Sequence, residues 1–350
     1  MTRVVGIDPG TVSIDLCGMI DSRIYLDRSW PTKEALAHPA GLIELLTASG
    51  PPELIAGPSG YGLPMVGGPD ATDTDLRLAF LAPPNEPGGL GGLRALARLL
   101  GASGLPVIYT PGVIHLDTVP THRKINRVDM GTADKLCVAV LGIHDQCSRR
   151  GLAPPEASFI LAELGGGFTS VLAIEQGQVV DGVGGTSGPL GWRSAGALDG
   201  EVAYLAGSIS KAALFQGGID SLLARDWGQA SVGFSAYIEG VEKAVRQLRC
   251  SAPSADEILL SGRHAADERI REPLSTRLKD IGPVRLLAGT AAVAKQGAEG
   301  AALLADGLAG GRSRAVVDRL RIRQASGTVL DHLVFISPDQ ARTRLGIPNG

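Results

Sequence analysis

The sequence predicts an α/β protein made of two similar domains. Its 350 residues are enough for two domains of ordinary size. Both halves show the same predicted order of elements (strand, strand, strand, helix, strand, helix, strand, helix), and each half opens with a hairpin whose turn places glycine beside an acid. An internal duplication constrains the fold more than any single segment does. Two similar domains that face each other leave a cleft between them, and we expect a ligand there.

The N-terminal domain is predicted to span residues 1–148. Short apolar and β-branched runs that stop at turn residues predict its strands, and apolar residues at helical spacing predict its helices. Residues 58–90 are rich in Gly, Pro and Asp and predict a long loop. In chain order the other elements are strands over 4–8, 12–19 and 23–27, a helix over 39–46, a strand over 54–56, a helix over 93–100, a strand over 106–109 and a helix over 130–145.

The C-terminal domain is predicted to span residues 149–350 and to repeat this order. A Gly-rich turn at 165–167 joins its first two strands. The elements are strands over 158–162, 169–174 and 178–183, helices over 199–215 and 233–250, a strand over 257–260, a helix over 267–280, a strand over 284–287 and an Ala-rich helix over 289–305.

Composition and charge exclude several classes of function. Lys and Arg number 33 against 36 Asp and Glu, a net charge of −3, whereas a nucleic-acid-binding protein would carry a basic surplus. Aromatic residues make up only 4%, which disfavours a base-stacking surface. No apolar stretch of about 20 residues is available to span a bilayer, and Asp8 and Pro9 interrupt the apolar run at the N-terminus. We expect a cytoplasmic protein with no nucleic-acid or membrane partner, and we leave a homodimer open.

The cysteines and histidines do not predict a metal site. Neither residue type clusters with the spacing of zinc ligands, and widely scattered cysteines fit buried thiols in a reducing compartment. The residues considered are Cys17, Cys137, Cys147, Cys250, His115, His122 and His144.

The two glycine turns have the composition of phosphate-binding turns. Glycine removes the side chain that would block an anion and lets backbone N–H groups point at it. An acid at the end of the preceding strand, Asp8 in the first half and Glu163 in the second, can hold Mg²⁺ beside the phosphate oxygens. The alternative is that each segment is only a hairpin turn, but two such turns at equivalent points of a duplicated unit favour the phosphate interpretation.

A third glycine follows the strand predicted at 257–260. Small residues at Ser261 and Gly262 would let an adenine ring lie against the backbone, and Arg263 could stack on it. A Ser-Gly pair after a strand is common, so this segment is informative only in combination with the two turns.

These segments resemble the superfamily of acetate kinase, sugar kinases, the 70-kDa heat-shock proteins and actin. Its phosphate-1 turn is similar to Gly6-Ile7-Asp8-Pro9-Gly10-Thr11, its phosphate-2 turn to Leu164-Gly165-Gly166-Gly167-Phe168-Thr169, and its adenosine motif to Leu260-Ser261-Gly262-Arg263. Helices over 129–140 and 289–306 resemble its two connecting helices. The resemblance implies two ribonuclease-H-like (actin-like ATPase) domains with an interdomain nucleotide cleft.

The same resemblance implies the cofactors ATP and Mg²⁺ and a set of binding residues. Asp8 and Glu163 would organise the metal ion, the two turns would hold the phosphates, and the adenosine would lie against the third glycine segment and the last connecting helix. The residues implied for phosphate binding are Gly10, Thr11, Gly165, Gly166, Gly167 and Thr169, and those implied for adenosine binding are Ser261, Gly262, Arg263, Gly297 and Ala298.

Within the superfamily the second half most resembles butyrate kinases. The similarity includes Gly188-Pro189-Leu190, Arg193-Ser194-Ala195-Gly196 and, before the first connecting helix, Lys124-Ile125-Asn126-Arg127. The whole chain resembles a prokaryotic family described as predicted butyrate kinases, through its opening segment and Gly57-Pro58-Ser59-Gly60-Tyr61-Gly62-Leu63-Pro64.

The chain departs from the carboxylate kinases at two positions. Those enzymes usually have Asn in the first turn, where this chain has Asp8, and His before the second turn, where this chain has Glu163. Acidic residues at both turns look more like the sugar-kinase and heat-shock branches.

The segment before the first connecting helix concentrates charged residues that suit phosphoryl transfer, which depends on positioning and charge neutralisation. Lys124 or Arg127 is predicted to hold an anionic acceptor or the γ-phosphate. Asp129 or Asp134 is predicted to orient a nucleophile or a metal-bound water. The alternative is a solvated basic loop.

Two further features are predicted to recognise the acceptor. The loop over 57–68 contains Ser59 and Tyr61 at the C-terminal end of a strand, where open α/β sheets place ligand loops. Arg193 follows the third strand of the second half and could reach an anion, although an exposed structural arginine is an equally good interpretation.

The sequence therefore predicts an ATP-dependent phosphotransferase that acts on a small-molecule acceptor, with a short-chain carboxylate as the first choice. One alternative is a nucleotide-switched binding or regulatory protein with slow ATPase activity. Only about 40 residues remain after residue 310, and the sequence shows no obvious peptide-binding domain there. A carbamoyl or similar transferase is a second enzymatic alternative, but it would be expected to have metal-binding histidines near the connecting helix.

Overall fold

A computed structural model describes residues 2–10, 12–48, 50–57, 59–83, 89–224 and 230–348. The chain forms two compact units. Unit 1 consists of Met1–Val128, Thr132–Pro155 and Gly289–Gly350, and unit 2 of Asp129–Gly131 and Glu156–Ala288.

The strands fall into one sheet per unit. Those of unit 1 are β1 (Arg3–Pro9), β2 (Ser13–Ile20), β3 (Arg23–Pro31), β4 (Leu54–Gly57), β5 (Val66–Gly67) and β6 (Val107–Tyr109), and those of unit 2 are β7 (Phe159–Leu164), β8 (Thr169–Glu175), β9 (Gln178–Val183), β10 (Ile258–Ser261) and β11 (Val284–Leu286).

The helices lie between and after these strands. They are α1 (Thr32–Ala37), α2 (Pro39–Thr47), α3 (Asp73–Phe80), α4 (Gly89–Gly101), α5 (Thr121–Lys124), α6 (Ala133–Arg150), α7 (Gly200–Ala206), α8 (Ile219–Ala224), α9 (Ala230–Arg249), α10 (Glu268–Arg277), α11 (Gln296–Leu308), α12 (Arg314–Arg319) and α13 (Pro338–Arg344).

The two sheets repeat one topology, which confirms the predicted α/β duplication. The strand order is β3-β2-β1-β4-β6-β5 in unit 1 and β9-β8-β7-β10-β11 in unit 2. In each unit the first three strands form an antiparallel meander. β4 and β6 in unit 1 and β10 and β11 in unit 2 run parallel to the first strand of the unit, whereas β5 pairs antiparallel with β6. The glycine turn of each half joins the first two strands. It therefore lies at the C-terminal end of the first strand, which also pairs with the first of the parallel strands.

Helix α11 is the last element to pack on the sheet of unit 1. It lies against β1, β2, β4 and helix α6. Small residues permit this close approach, because a Cβ on Gly6 would overlap the Ala298 carbonyl and a Cβ on Gly300 would overlap the Cys137 carbonyl. Residues 289–350 therefore belong to unit 1, whereas the sequence pattern assigned them to a C-terminal domain over 149–350.

Several predicted segments contain a different local structure; the helix predicted over 199–215, for example, is divided into α7 and a 3₁₀ helix over 211–215. The segment 58–90, predicted to be a loop, contains α3, which begins with a capping box in which Thr72 and Asp75 satisfy each other's backbone N–H groups; residues 84–88 lie outside the described residues. The helix predicted from residue 289 begins at Gln296, because residues 290–294 give their N–H groups to carboxylates instead of forming helical hydrogen bonds.

Candidate functional site

The first turn closes the hairpin between β1 and β2 in unit 1. Asp8 and Asp15 face each other across the two strands. The Gly10 N–H donates to the Ser13 carbonyl at 2.9 Å, and the Gly10 carbonyl accepts a hydrogen bond from the Thr32 hydroxyl at 2.7 Å. The Gly10 amide is therefore committed to the hairpin rather than available to an anion. The predicted phosphate contact at Thr11 lies outside the described residues.

The Asp8 carboxylate lies against the first turn of α11. It is 8% exposed, and a Cβ on Gly297 would lie 2.6 Å from Asp8 Oδ2. Glycine at this position leaves room for the carboxylate near the positive end of the helix dipole. The structure thus places Gly297 and Ala298, which were predicted to frame adenosine, beside the first turn in unit 1.

Two aspartates near the first turn have opposite pKa shifts. Burial and the negative charge of Asp134 raise the pKa of Asp8, against the smaller effects of Lys295 and Lys135. Burial also opposes ionisation of Asp134, but the Lys135 ammonium at 2.6 Å and a hydrogen bond from the Thr132 hydroxyl outweigh it and lower its pKa. Asp134 therefore keeps its charge while Asp8 holds a proton more readily.

Lys295 supplies a second cation at this turn. Its Nζ lies 2.9 Å from Asp15 Oδ2, and Asp15 is only 1% exposed. Asp15 Oδ2 also accepts a hydrogen bond from the Ser13 hydroxyl at 2.7 Å, whereas Oδ1 has no partner among the described residues. The sequence prediction missed Asp15, Lys135 and Lys295. For Lys135 the signal was its place beside Asp134, but Lys295 was hidden inside a segment predicted to be helical.

The residues at the first turn fit Mg²⁺ better than a transition metal. The described part of the chain contains no group of three or more His, Cys, Asp or Glu side chains arranged to hold a metal ion. Mg²⁺ does not need such a cage, because it usually keeps several waters and binds through one or two carboxylates plus substrate phosphates. Asp8, whose pKa is raised by burial and by the charge of Asp134, and Asp134, whose pKa is lowered by Lys135, fit that pattern.

The second turn, between β7 and β8 in unit 2, leaves backbone donors unused. The Gly165 N–H closes the turn by donating to the Phe168 carbonyl at 3.0 Å. Within the described residues the N–H groups of Gly166 and Gly167 donate to no protein acceptor. A Cβ on Gly165 would lie 3.1 Å from both carboxylate oxygens of Glu163, which places that acid beside the turn. The two unused N–H groups suit an anion.

Two arginines flank the second turn. The backbone N–H of Arg193 donates to the Gly167 carbonyl at 2.9 Å, and its guanidinium lies over the Phe215 ring at 5.4 Å. A Cβ on Gly167 would lie 3.4 Å from Arg193 Nη2, and a Cβ on Gly166 would lie 3.4 Å from Arg263 Cδ. Both arginine side chains therefore lie near the two glycines whose N–H groups are unused.

The third glycine segment lies beside the second turn. Ser261 is the parallel neighbour of Glu163 in the sheet. Gly262 has φ +91°, and a Cβ there would lie 2.6 Å from the Leu164 backbone, so both its conformation and its surroundings require glycine. Thr169, by contrast, is fully buried and its hydroxyl donates to Tyr237 at 3.3 Å. Unit 2 thus brings together Glu163, Gly165, Gly166, Gly167, Arg193, Ser261, Gly262 and Arg263.

Two of the residues predicted to serve the acceptor are engaged inside the fold. Lys124 is 7% exposed, its Nζ donates to the Leu116 carbonyl at 2.7 Å, and burial lowers its pKa. Asp129 is 5% exposed and accepts hydrogen bonds from the Thr186 N–H and hydroxyl at 3.0 and 3.1 Å. Arg127 is half-buried. Lys124 and Asp129 belong to unit 1 and unit 2, respectively.

The predicted acceptor loop over 57–68 is anchored at several points in unit 1. The buried Ser59 hydroxyl donates to the Thr110 carbonyl at 3.0 Å, and the Gly60 carbonyl accepts from the Ala133 N–H at the start of α6. The loop is therefore tied to the helix that carries Asp134.

Among the described residues, no helix has the length and apolar character needed to cross a bilayer.

Solved structures of carboxylate kinases are similar to this chain. A propionate kinase from Francisella tularensis is 14% identical with a TM-score of 0.60, covering 86% of this chain and 99% of its own. Acetate kinases from Porphyromonas gingivalis (15% identical, 81% of this chain and 88% of that one) and Entamoeba histolytica (11%, 80% and 87%) both have a TM-score of 0.56. At these identities the likeness shows the fold alone, and it confirms the predicted α/β fold with two domains.

A comparison with curated protein sequences finds no match. One family model matches residues 6–335, which include both glycine turns and the loop before α11. The chain therefore belongs to the family described as protein of unknown function DUF1464.

Proposed function

We propose that the chain is an ATP-dependent phosphotransferase that acts on a small-molecule acceptor. The observation that carries the proposal is the second turn, where two N–H groups without protein acceptors among the described residues lie near the side chains of Arg193 and Arg263. Unused backbone donors flanked by guanidinium groups are an arrangement that suits phosphate. The acidic first turn of the same duplicated topology adds the carboxylates that a nucleotide-bound cation needs.

In this proposal the chain's own residues have separate tasks. The N–H groups of Gly166 and Gly167 and the Arg263 guanidinium bind phosphate oxygens, and the backbone at Ser261 and Gly262 lies beside them for the nucleoside. Asp8 and Asp134 are the residues that would hold Mg²⁺, directly or through water, and Glu163 is proposed to assist at the second turn. When bound, Mg²⁺ would neutralise charge on the phosphates.

The proposed acceptor is a short-chain carboxylate. The similar structures include a propionate kinase and two acetate kinases, which supports this choice, and so does the resemblance of the second half to butyrate kinases. Arg193 is the residue best placed to bind a carboxylate, because its guanidinium borders the turn proposed to hold phosphate. Arg127 is a second cation for the same purpose.

A nucleotide-switched protein with slow ATPase activity is the second candidate. The observation that favours it is the internal bonding of Lys124 and Asp129, two residues predicted to serve an acceptor. Such a protein would bind and hydrolyse ATP at the same turns but would show no dependence on an acceptor.

The test is ADP release by the full chain with Mg²⁺ and ATP, with and without a panel of acetate, propionate, butyrate, simple sugars and polyols. The proposed function predicts a rate that one class of acceptor raises at least about tenfold, with the phosphorylated acceptor as product. A slow rate that no acceptor changes would favour the nucleotide switch. An absence of nucleotide binding would contradict both.

A further inference from the structure

The loop before α11 (residues 289–295) brings a cation to the first turn that neither the sequence motifs nor the resemblance assigns. Lys295 is the last residue of this loop and the N-cap of α11. Its Nζ lies 2.9 Å from Asp15 Oδ2 and 3.5 Å from the Ser13 carbonyl, and a Cβ on Gly10 would lie 2.7 Å from it. The ammonium therefore contacts the turn itself.

Two carboxylates fix the loop that carries Lys295. Asp27 on β3 accepts hydrogen bonds from the N–H groups of residues 292–294, at distances between 2.6 and 3.2 Å. Glu299, which is 3% exposed, accepts from the N–H and hydroxyl of Thr290 at 2.8 and 2.7 Å. The loop thus has its donors satisfied on one side by the sheet and on the other by α11. Lys295 is held on a rigid support, which is a requirement for a precise ligand contact.

The Lys295 ammonium keeps capacity for a ligand. An ammonium has three donors, and Asp15 and Ser13 account for two of them. The side chain is 45% exposed, so the third donor has access to solvent. Because the Gly10 N–H donates to the Ser13 carbonyl, the ammonium that contacts this carbonyl also borders Gly10, at the tip of the hairpin.

We propose that Lys295 binds the terminal phosphate of the nucleotide at the first turn, an inference that rests on the proposed function. Asp15 holds the ammonium in place, and the third donor meets a phosphate oxygen. A compact ammonium acts on phosphate as a point charge. The contact should therefore strengthen binding of a nucleoside triphosphate more than that of the diphosphate.

The experiment compares the affinities of the full chain for ATP and ADP, each with Mg²⁺, by isothermal titration calorimetry. Lys295→Met should weaken ATP binding about tenfold or more, the usual size of a charge-assisted hydrogen bond, while ADP binding changes less. Lys295→Arg should restore most of the preference for ATP. The control is Lys243→Met, since Lys243 also pairs with a carboxylate, Glu239 at 2.5 Å, but lies on α9; it should leave both affinities unchanged.

A second variant separates binding from stability. Lys295→Met leaves the buried Asp15 carboxylate without its ion pair, which is destabilising. Asp15→Asn/Lys295→Met removes both charges, should unfold at a temperature nearer to that of the parent, and should still lose the preference for ATP.

Two outcomes overturn the inference in distinguishable ways. If the parent binds ATP and the double variant keeps the parent's ratio of ATP to ADP affinity, Lys295 does not contact the terminal phosphate and only this inference fails. If the parent binds neither nucleotide, the proposed function fails and the inference fails with it.

Discussion

The first and second glycine turns have the same place in the two repeated sheets but differ in their free backbone donors and in the charged side chains beside them. At the first turn the Gly10 N–H is used by the hairpin, and the nearby side chains are the carboxylates of Asp8 and Asp15 and the Lys295 ammonium. At the second turn, within the described part of unit 2, two glycine N–H groups have no protein acceptor, and the nearest cations are guanidinium groups. The duplication repeats the backbone topology, not the chemistry.

This difference assigns different work to the two turns. The second turn is suited to binding an anion by itself, since it offers donors and positive charge. The first turn carries buried carboxylates whose charge needs a cation, and it raises the pKa of Asp8 through burial and the proximity of Asp134. Function therefore depends on side chains placed on a repeated scaffold. The predictions below test that division, from the largest expected effect to the smallest.

Replacing Asp8 should have the largest effect on turnover. Asp8→Asn keeps the shape of the side chain and removes the charge, so we expect ADP release to fall by roughly 10²-fold or more, with and without acceptor, as is typical when a charge-stabilising group is lost. Asp318→Asn is the control, because Asp318 forms an exposed ion pair with Arg314 on the surface of unit 1. Full activity of Asp8→Asn would show that the first turn does not have the role assigned to it.

A side chain at Gly166 should abolish phosphate binding at the second turn while preserving the fold. The nearest atom to a Cβ there is Arg263 Cδ at 3.4 Å, so the unit can accommodate Gly166→Val. The valine side chain would, however, occupy the space proposed for the phosphate. We expect ATP affinity to fall about tenfold or more. The matched control is Gly200→Val, because a Cβ on Gly200 meets nothing within 4 Å. Equal ATP affinities of the two variants would mean that the second turn is only a turn.

Removing the Arg193 guanidinium should distinguish acceptor from nucleotide. If Arg193 binds the acceptor, Arg193→Ala lowers the acceptor-dependent rate about tenfold and leaves ATP affinity nearly unchanged. Steady-state kinetics with varied acceptor, next to titration with ATP, measure the two effects. A loss of ATP affinity equal to the loss of rate would instead assign Arg193 to the phosphate side of the turn.

The smallest predicted effect is on stability and depends on pH. The pKa of Asp8 is higher in the folded than in the unfolded chain, so between these two values the folded state keeps a proton that the unfolded state has lost, and stability falls as pH rises. Without metal, the free energy of unfolding of the parent should fall between about pH 4 and about pH 7 by more than that of Asp8→Asn. Urea unfolding in a chelating buffer measures the free energy of unfolding at each pH. Parallel pH profiles of the parent and the variant would contradict a raised pKa of Asp8 in the folded chain.

The sequence predicted the sheets and both turns because these depend on local patterns. Apolar runs that end in Gly beside an acid give the same strand and turn wherever they occur, and the strand positions agree with the structure. The C-terminal residues were harder. Residues 289–295 have the composition of a helix, yet their N–H groups bind Asp27 and Glu299, and only tertiary structure brings a carboxylate 265 residues away to that loop.

The site residues that the sequence missed were missed for the same reason. Lys295 became important only because α11 returns to unit 1 and lies on β1, where Asp15 holds the ammonium. Conversely, Lys124 and Asp129 carry charges that look suited to an acceptor, but the fold uses them for hydrogen bonds of its own. Local patterns do not reveal which charged groups tertiary contacts will engage.

The most direct test of the account is the thermal unfolding of the full chain with increasing Mg²⁺ and ATP. A ligand that binds only the folded state stabilises it by mass action, by about 2.7 kcal/mol when its concentration is 100 times the dissociation constant. We predict a melting temperature that rises with nucleotide concentration in the parent and rises less, at each nucleotide concentration, in Gly166→Val. A parent whose melting temperature stays constant at millimolar Mg²⁺ and ATP would contradict the assignment of the two turns to a nucleotide.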